Sequence, residues 1–333
     1  MNNHKPLLPM KSIIPYLKGV KASYWILAFS SLLLFSKTDA TAQNIGASSE
    51  YIKALTSEWT GERFPDGRPK VSNSILERLK NISIEEAWGV LRNKGYQNQY
   101  EGDWQIMLPD EAMTGRVVTA QYMPLRPDLE KQVKDQGVGK EGRSPKGGTN
   151  SWPIDILTNG DVYVADGYGK IVDGTLIGDN LGNAIYAKSH RGVIFNGSVR
   201  DQEGLSEIEG FNAWMKGQDP SYIQQMMLTS INAPIRVGRA TVLPGDVVLA
   251  KKYGVIFIPA YLVEELVLTS EVTGLRDEFG HQRLREEKYL AGQIDSEWTG
   301  EIKKDFLNWL NNYPGKLPMT KQELDDYLKE RNY

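Results

Sequence analysis

The sequence predicts an α/β core carried between helical N- and C-terminal extensions, and three observations point there. Short apolar runs rich in β-branched residues recur through the middle of the chain, at 115–120, 160–165, 193–195, 234–242, 245–250 and 255–258. They are too short for helices and are bounded by glycine and polar turns, as buried strands are. Helix-like segments separate several of them, the alternation expected of an α/β fold. Both flanks are polar with helical spacing, and each carries a capping box, Ser83 with Glu86 and Thr320 with Glu323. In that motif the hydroxyl and the acid three residues on satisfy amides that a helix start leaves free.

The first 42 residues read as a secretory signal peptide. Lys5, Lys11, Lys18 and Lys21 precede a twelve-residue apolar run at 24–35, and the small residues Ala40-Thr41-Ala42 follow, so cleavage is expected between Ala42 and Gln43. The run falls below the roughly 20 residues that span a bilayer, which favours cleavage over a retained anchor. The expected location is the periplasm or the extracellular space, with no membrane association after cleavage. Without these residues, which hold five lysines and one aspartate, the net charge moves from −3 to −7. No basic stretch suggests a nucleic-acid partner. The chain has no cysteine, which excludes a disulfide framework, thiolate catalysis and zinc–thiolate sites. At this size a core is sufficient without disulfides.

Residues 43–101 read as a helical N-terminal extension, with a helix over 84–93. The core is expected over 102–270, opening on the strand at 115–120. Within it, 126–150 holds Gly137, Gly139, Gly142, Gly147 and Gly148 among six lysines and arginines and reads as a mobile loop. Gly160-Asp161 and Gly245-Asp246 each read as a turn feeding a buried strand. From 260 to 312 the pattern is helical and charged; 271–333 is expected as a C-terminal helical extension ending in a helix from Thr320 to Arg331. Ser57-Glu58-Trp59-Thr60-Gly61-Glu62 recurs at 296–301. The flanks do not match, so two similar turns that each pack a tryptophan are expected rather than a duplicated domain.

Beyond the signal peptide only His190 and His281 remain, both expected at the surface, which excludes a histidine-rich metal site. Neither a Walker loop nor a dinucleotide fingerprint is present, nor is a nucleophile elbow. Oxygen-ligand metal chemistry is left, and residues 178–201 carry it. Gly178-Asp179-Asn180-Leu181 reads as a turn into a helix. Val193-Ile194-Phe195 reads as a strand, and an Asn196-Gly197-Ser198 turn then delivers Arg200-Asp201. Asp201 can ligate Mg²⁺ or Mn²⁺, which bind through one or two carboxylates and water. Asp179 can hold a metal-bound water. The Asn180 and Leu181 amides at the helix start, with Arg200, can grip a carboxylate. Arg200-Asp201 alone reads better as a surface ion pair; its place after an apolar strand and turn, with Gly178-Asp179 upstream, brings the two readings level.

These residues resemble the family that contains the regulator of ribonuclease activity A and the class II, metal-dependent 4-hydroxy-4-methyl-2-oxoglutarate aldolases. The family's turn, G-V-V strand and D-G-x-x-R-D pattern is matched by Gly178 to Leu181, Gly192-Val193-Ile194, and Asn196-Gly197-Ser198-Val199-Arg200-Asp201. Asn232-Ala233-Pro234-Ile235, Pro244-Gly245-Asp246-Val247 and the run from Tyr253 to Pro259 form a second block, and the resemblance covers roughly 75–290. It implies a β/β/α swivelling-domain-like core assembled as a homotrimer or hexamer. It also implies pyruvate held by Gly178, Asp179, Asn180, Leu181 and Arg200, with Mg²⁺ on Asp201. Arg200 and Asp179 are the expected catalytic residues, in a lyase that cleaves a 2-oxo acid to pyruvate through a metal-stabilised enolate, as aldolase or oxaloacetate decarboxylase. Glu278 and Glu286 are candidates for an acid reaching a neighbouring subunit. Three departures stand out: Gly204 where aldolases carry an acid three residues after the aspartate, Asn196 for the usual Asp, and Asn180 for the usual Leu. They keep open the alternative of a non-catalytic binding or regulatory protein. Glu86 is assigned to its capping box, and Glu85 is left unassigned.

Overall fold

The structure, a computed structural model, describes residues 44–331; the expected signal peptide lies outside them. Three helices lead in, α1 (Ser49–Leu55), α2 (Asn73–Leu79) and α3 (Ile84–Asn93). Each is opened by a serine that accepts a first-turn amide, and Ser83 with Glu86 completes the expected capping box. Next come β1 (Tyr100–Glu101), β2 (Gln105–Ile106) and β3 (Met113–Pro124), then α4 (Pro127–Gly139), a 3-10 turn at Thr149–Ser151 and α5 (Trp152–Asp155). The centre is β4 (Asp161–Asp166), α6 (Asp179–Ser189), β5 (Val193–Val199), α7 (Gln202–Ser206) and β6 (Ala213–Gln218). The strands end with β7 (Met226–Ile231), β8 (Ile235–Val237), β9 (Ala240–Val242), β10 (Val247–Lys251) and β11 (Gly254–Ile258). The last helices are α8 (Val263–Arg285), α9 (Ala291–Ile294), α10 (Gly300–Asn311) and α11 (Lys321–Glu330).

Among the described residues a nine-stranded mixed sheet runs β1-β11-β10-β3-β4-β5-β6-β2, with β7 also on β3. The four strands β3 to β6 are parallel neighbours. β3 is long enough to pair β10 with its first half and β7 with its second. Both faces of the sheet are covered, and the side-chain period of two sorts each strand between them. Tyr163 and Ala165 join Phe195 and Ile185 on one face, while Val162 and Val164 join Ile194, Trp214 and the β8-β9 hairpin on the other. Gly160 and Gly245 both adopt positive φ. The aspartate after each accepts the amide three residues back, Asp161 from Thr158 and Asp246 from Leu243. Both turns therefore feed buried strands as the sequence predicts.

Helix α8 crosses the expected core boundary at 270 without a break, but its packing changes there. Val263, Leu266 and Val267 lie on β10, β11 and the N-terminal helices, whereas Val272, Leu275 and Phe279 join an aromatic cluster with Trp298, Phe306 and Trp309. The repeated hexapeptide behaves as two turns: Trp298 is buried in that aromatic cluster, and Trp59 packs on the cluster beneath α8.

Two expectations are corrected. Residues 126–150 are not a mobile loop, because 127–139 form α4. Pro127 opens that helix, Asp128 and Glu130 sit in its first turn, and Lys131–Asp135 and Lys134–Glu130 ion pairs run along it. Gly137, which looks like a loop residue, is where the Trp152 ring lies against the helix; a Cβ there would stand 2.5 Å from the ring. Asn196-Gly197-Ser198 is not a turn either. It continues β5 to Val199 with a register irregularity against β6, because small residues let the 167–177 loop pack flat on the strand. Asn196 donates to Asp166 at 2.7 Å, and Ser198 donates to the Ile171 carbonyl at 2.8 Å.

Candidate active site

The β4-α6-β5 unit builds the site at the carboxyl ends of parallel strands, where ligands of α/β sheets bind. After β4 the chain returns beside the end of β5: Leu176 N–H donates to the Ser198 carbonyl at 2.9 Å, and Arg200 N–H to that of Ile177 at 3.0 Å. This ladder sets the 178–181 turn against Arg200-Asp201, so all six expected residues converge. Gly178 is the N-cap of α6, and a Cβ on it would collide with Asp201 Oδ2. Asp201 takes a left-handed conformation, φ 55°, as the N-cap of α7. Its carbonyl accepts the Leu205 amide at 2.9 Å, which starts that helix. Leu205 packs against Gly182 of α6, so the two helix starts are fixed together.

The Arg200 guanidinium stands 3.6 Å from Asp201 Oδ2, and both side chains are more than a third exposed. Such a pair is worth at most about 1 kcal/mol, so neither group is consumed by the other. Arg200 lines two cavities. One, of about 70 Å³, is bounded by Gly178, Asn180 and Leu181 together with Asn150, Tyr222 and Ile223. The other is an open polar basin of about 770 Å³ that adds Asp201, Glu203, Lys216 and Asp219.

The Asn180 amide, expected to meet a carboxylate, donates to one within its own helix start. Asp179, at the helix start, folds Oδ1 back to accept that amide at 2.7 Å, as an acid placed on free first-turn donors does. Leu181, whose first-turn amide lacks an intrahelical acceptor, lines the small cavity at the helix start. Gly204 sits directly under Asp179: a Cβ there would stand 2.8 Å from Asp179 Cβ and 3.0 Å from its Oδ2. The space of the missing acid thus lies beside the Asp179 carboxylate. The second departure also has a cause, because an aspartate at 196 would face Asp166 where Asn196 donates to it.

The donor set suits a hard divalent ion. Asp201 and Asp179 offer carboxylate oxygens, and the glycines at 178 and 204 make the room those two side chains occupy, Asp201 against Gly178 and Asp179 against Gly204. Among the described residues no group of three or more histidines, cysteines, aspartates or glutamates that could hold a metal ion gathers.

Asn150, Tyr222, Ile223 and Lys216 were not singled out from sequence. Asn150 donates to the Leu176 carbonyl at 2.7 Å, and Lys216 Nζ reaches the Gly102 carbonyl at 2.9 Å and lies 4.1 Å over the Trp104 ring. Glu278 and Glu286 sit at the C-terminal helices, where Glu278 accepts from the Tyr313 hydroxyl at 2.8 Å and Glu286 pairs with Arg283 at 2.9 Å. His190 closes α6 in a left-handed turn and is exposed, as is His281. No described helix is long and apolar enough to cross a membrane.

Comparison with known proteins identifies the family and the fold. The Aldolase/RraA model of the RraA-like family matches residues 81–257. A 4-hydroxy-4-methyl-2-oxoglutarate aldolase of Thermus thermophilus is 30% identical over 100 residues, covering 30% of this chain and 60% of that protein. A Shewanella oneidensis protein provisionally named for the same activity is 33% identical over 103 residues, covering 28% and 62%. The chain thus spans about three fifths of the curated relatives it matches. Streptomyces coelicolor RraAS2, described as an unusual member of the RNase ES inhibitor RraA protein family, superposes with a TM-score of 0.55 at 24% identity, over 64% of this chain and 100% of its own. An uncharacterised protein of Pseudomonas syringae does so with a TM-score of 0.55 at 17% identity, over 71% and 99%.

Proposed function

This chain belongs to the RraA-like family, and from that premise we propose that it is a divalent-metal-dependent lyase that cleaves a 2-oxo acid to release pyruvate. One observation carries the reading: a glycine-opened helix start and an unconsumed Arg-Asp pair are held together at the carboxyl ends of β4 and β5. The aldolase names of two relatives support the reaction class.

Asp201 would hold Mg²⁺ or Mn²⁺ directly and Asp179 through water. Bound there, the ion would supply Lewis-acid polarisation of the 2-oxo group. The chain's own residues account for the rest. The Leu181 amide and the α6 N-terminus bind the substrate carboxylate. Arg200 lies where it can offset charge developing on the keto oxygen as the C3–C4 bond breaks, which is why its exposure to both cavities matters. Asp179 keeps Oδ2 open as an acceptor for a water or a substrate hydroxyl. The small cavity receives the pyruvate half and the basin the departing half. Oxaloacetate decarboxylation breaks the corresponding bond, so the same groups serve both reactions. Export through the N-terminal signal and assembly as a trimer or hexamer belong to the same proposal.

Gly204 favours one rival, a non-catalytic binding or regulatory protein on this fold. An assay separates the two. Protein is incubated with oxaloacetate or 4-hydroxy-4-methyl-2-oxoglutarate, with Mg²⁺ or with EDTA, and pyruvate release is coupled to NADH loss. The lyase gives metal-dependent pyruvate above the protein-free rate, and Arg200→Ala or Asp201→Ala lowers kcat by about a hundredfold or more. No pyruvate from either substrate supports the binder; near wild-type turnover by both variants removes the site assignment.

A further inference from the structure

A third cavity, of about 210 Å³, lies where the N-terminal extension crosses the core. Leu55, Glu58 and Trp59 of the extension line it together with Tyr96 and Tyr261, and Asp246 lines it from the buried turn before β10. The segment from Thr56 to Trp59 is held in place by Arg63, whose guanidinium donates to the carbonyls of Thr56 at 2.7 Å and Trp59 at 2.9 Å. The wall contributed by the extension is therefore a built surface.

Asp246 is the informative group. It is 3% exposed. Oδ2 accepts the Leu243 amide at 2.8 Å, which accounts for its role in the turn, as Asp161 serves the equivalent turn before β4. Of the other buried acids among the described residues, Asp161 has Arg68 at 3.1 Å and Arg116 at 3.5 Å, Glu271 has Arg78 at 2.6 Å, and Asp166 accepts from Gln121, the Tyr168 amide and Asn196. Asp246 has no arginine partner, no lysine or arginine lines the cavity, and Oδ1 has no hydrogen-bond donor among the described residues. Burial pushes its carboxyl up to about 7, against the pull of the Leu243 amide. The Tyr96 hydroxyl, bonded to that of Tyr261 at 2.8 Å, is pushed up to about 12, first by that bond and by burial, with Asp246 and Glu58 adding to the rise. Two acids and two phenols thus converge on one apolar pocket. A buried carboxylate without a cation is costly until one arrives, and aromatic faces favour cations.

We propose that this cavity binds a small organic ammonium ion, a primary amine on a short apolar or aromatic body. The ammonium donates to Asp246 and the tyrosine hydroxyls while the body lies against Leu55 and Trp59. The volume is below the roughly 300 Å³ at which sites for drug-sized ligands begin, which sets the size class. The site is separate from the Arg200-Asp201 pair and does not depend on the lyase reading.

Isothermal titration of the protein with 2-phenylethylamine, at pH 8 where Asp246 is mostly ionised, tests it against the neutral isostere 2-phenylethanol. The expected result is saturable amine binding at least about tenfold tighter than the alcohol. Asp246→Asn removes that preference, Trp59→Ala weakens the amine, and Arg200→Ala leaves it unchanged. Should Asp246→Asn fail to fold, Trp59→Ala carries the test alone. Absent amine binding, equal binding of amine and alcohol, or a Trp59→Ala variant with wild-type affinity each overturns the proposal.

Discussion

At the scale of single residues, the departures from the family pattern turn out to be fitted to their neighbours. Asn196 donates to Asp166, which also accepts from the Tyr168 amide at 3.0 Å and from Gln121 at 3.0 Å. Replacing Asn196 with Asp sets a second carboxylate against a buried one, and like charges there push one pKa up. Asn196→Asp is expected to cost about 1–3 kcal/mol at pH 8. A pKa raised on folding gives stability that is present at low pH and lost as pH rises, so the deficit should shrink at pH 5. Urea midpoints at the two pH values check this, and a variant as stable as wild type at pH 8 would refute it. The Arg200-Asp201 pair was legible in sequence because its chemistry resides in residue type and spacing. Asn150, Tyr222 and Lys216 were not, because only the long-range course of the chain brings them to Arg200. The use of the Asn180 amide by Asp179 was hidden for a different reason. Which acceptor occupies a free helix amide is decided by side-chain rotamer, and composition does not record it.

At the scale of elements, strands and capped helices were readable wherever periodicity and caps agreed, as in β4, β5, α3 and α11. Glycine produced the misreadings. It marks loops on average, yet Gly137 admits the Trp152 ring to α4, and Gly197 lies 3.6 Å, measured from an added Cβ, from Gly167 across β5. Close approach and turn formation leave the same letter in the sequence. Two alanine substitutions separate these meanings. Gly192, just before β5, has the backbone of Asn212 where its Cβ would go, and the Val193 amide donates to that Asn212 carbonyl at 3.0 Å. Gly192→Ala must push β5 from β6, so overpacking of about 3 kcal/mol or more is expected. Gly89, inside α3, has nothing within 4 Å of an added Cβ, so Gly89→Ala should gain about 1 kcal/mol from helix propensity. Chemical denaturation of both variants decides the matter. Equal effects would mean that neither packing nor propensity had been read correctly.

At the scale of the molecule, the C-terminal helices are attached by two unlike devices, and acid should distinguish them. One is the aromatic cluster of Phe279, Trp298, Phe306 and Trp309, which is indifferent to pH over the range that titrates carboxylates. The other is ionic. Arg78 of α2 bridges Glu271 of α8 at 2.6 Å and Glu323 of α11 at 2.8 Å. Within the C-terminal helices, Asp305 pairs with Arg283 at 2.8 Å and Lys288 at 2.9 Å. Arg78, then Thr320, hold the Glu323 carboxyl down at about 2, and Arg283, then Lys288, do the same for Asp305. A carboxyl depressed on folding contributes stability above its unfolded pKa and loses it as pH falls toward the folded value. The window here is about pH 4.5 down to 2. The two partners of Arg78 differ in weight. Glu323 is 36% exposed, so Glu323→Gln should cost no more than about 1 kcal/mol. The Glu271 side chain is 4% exposed, so Arg78→Ala leaves a buried charge alone and should cost about 3 kcal/mol or more. Tryptophan fluorescence during acid titration reads the C-terminal cluster directly through Trp298 and Trp309. Wild type is expected to loosen there below pH 4, Glu323→Gln at slightly higher pH, and Arg78→Ala already near neutrality. Coincident transitions in all three proteins would show that the aromatic cluster alone holds the extension and that the arginine bridge is incidental.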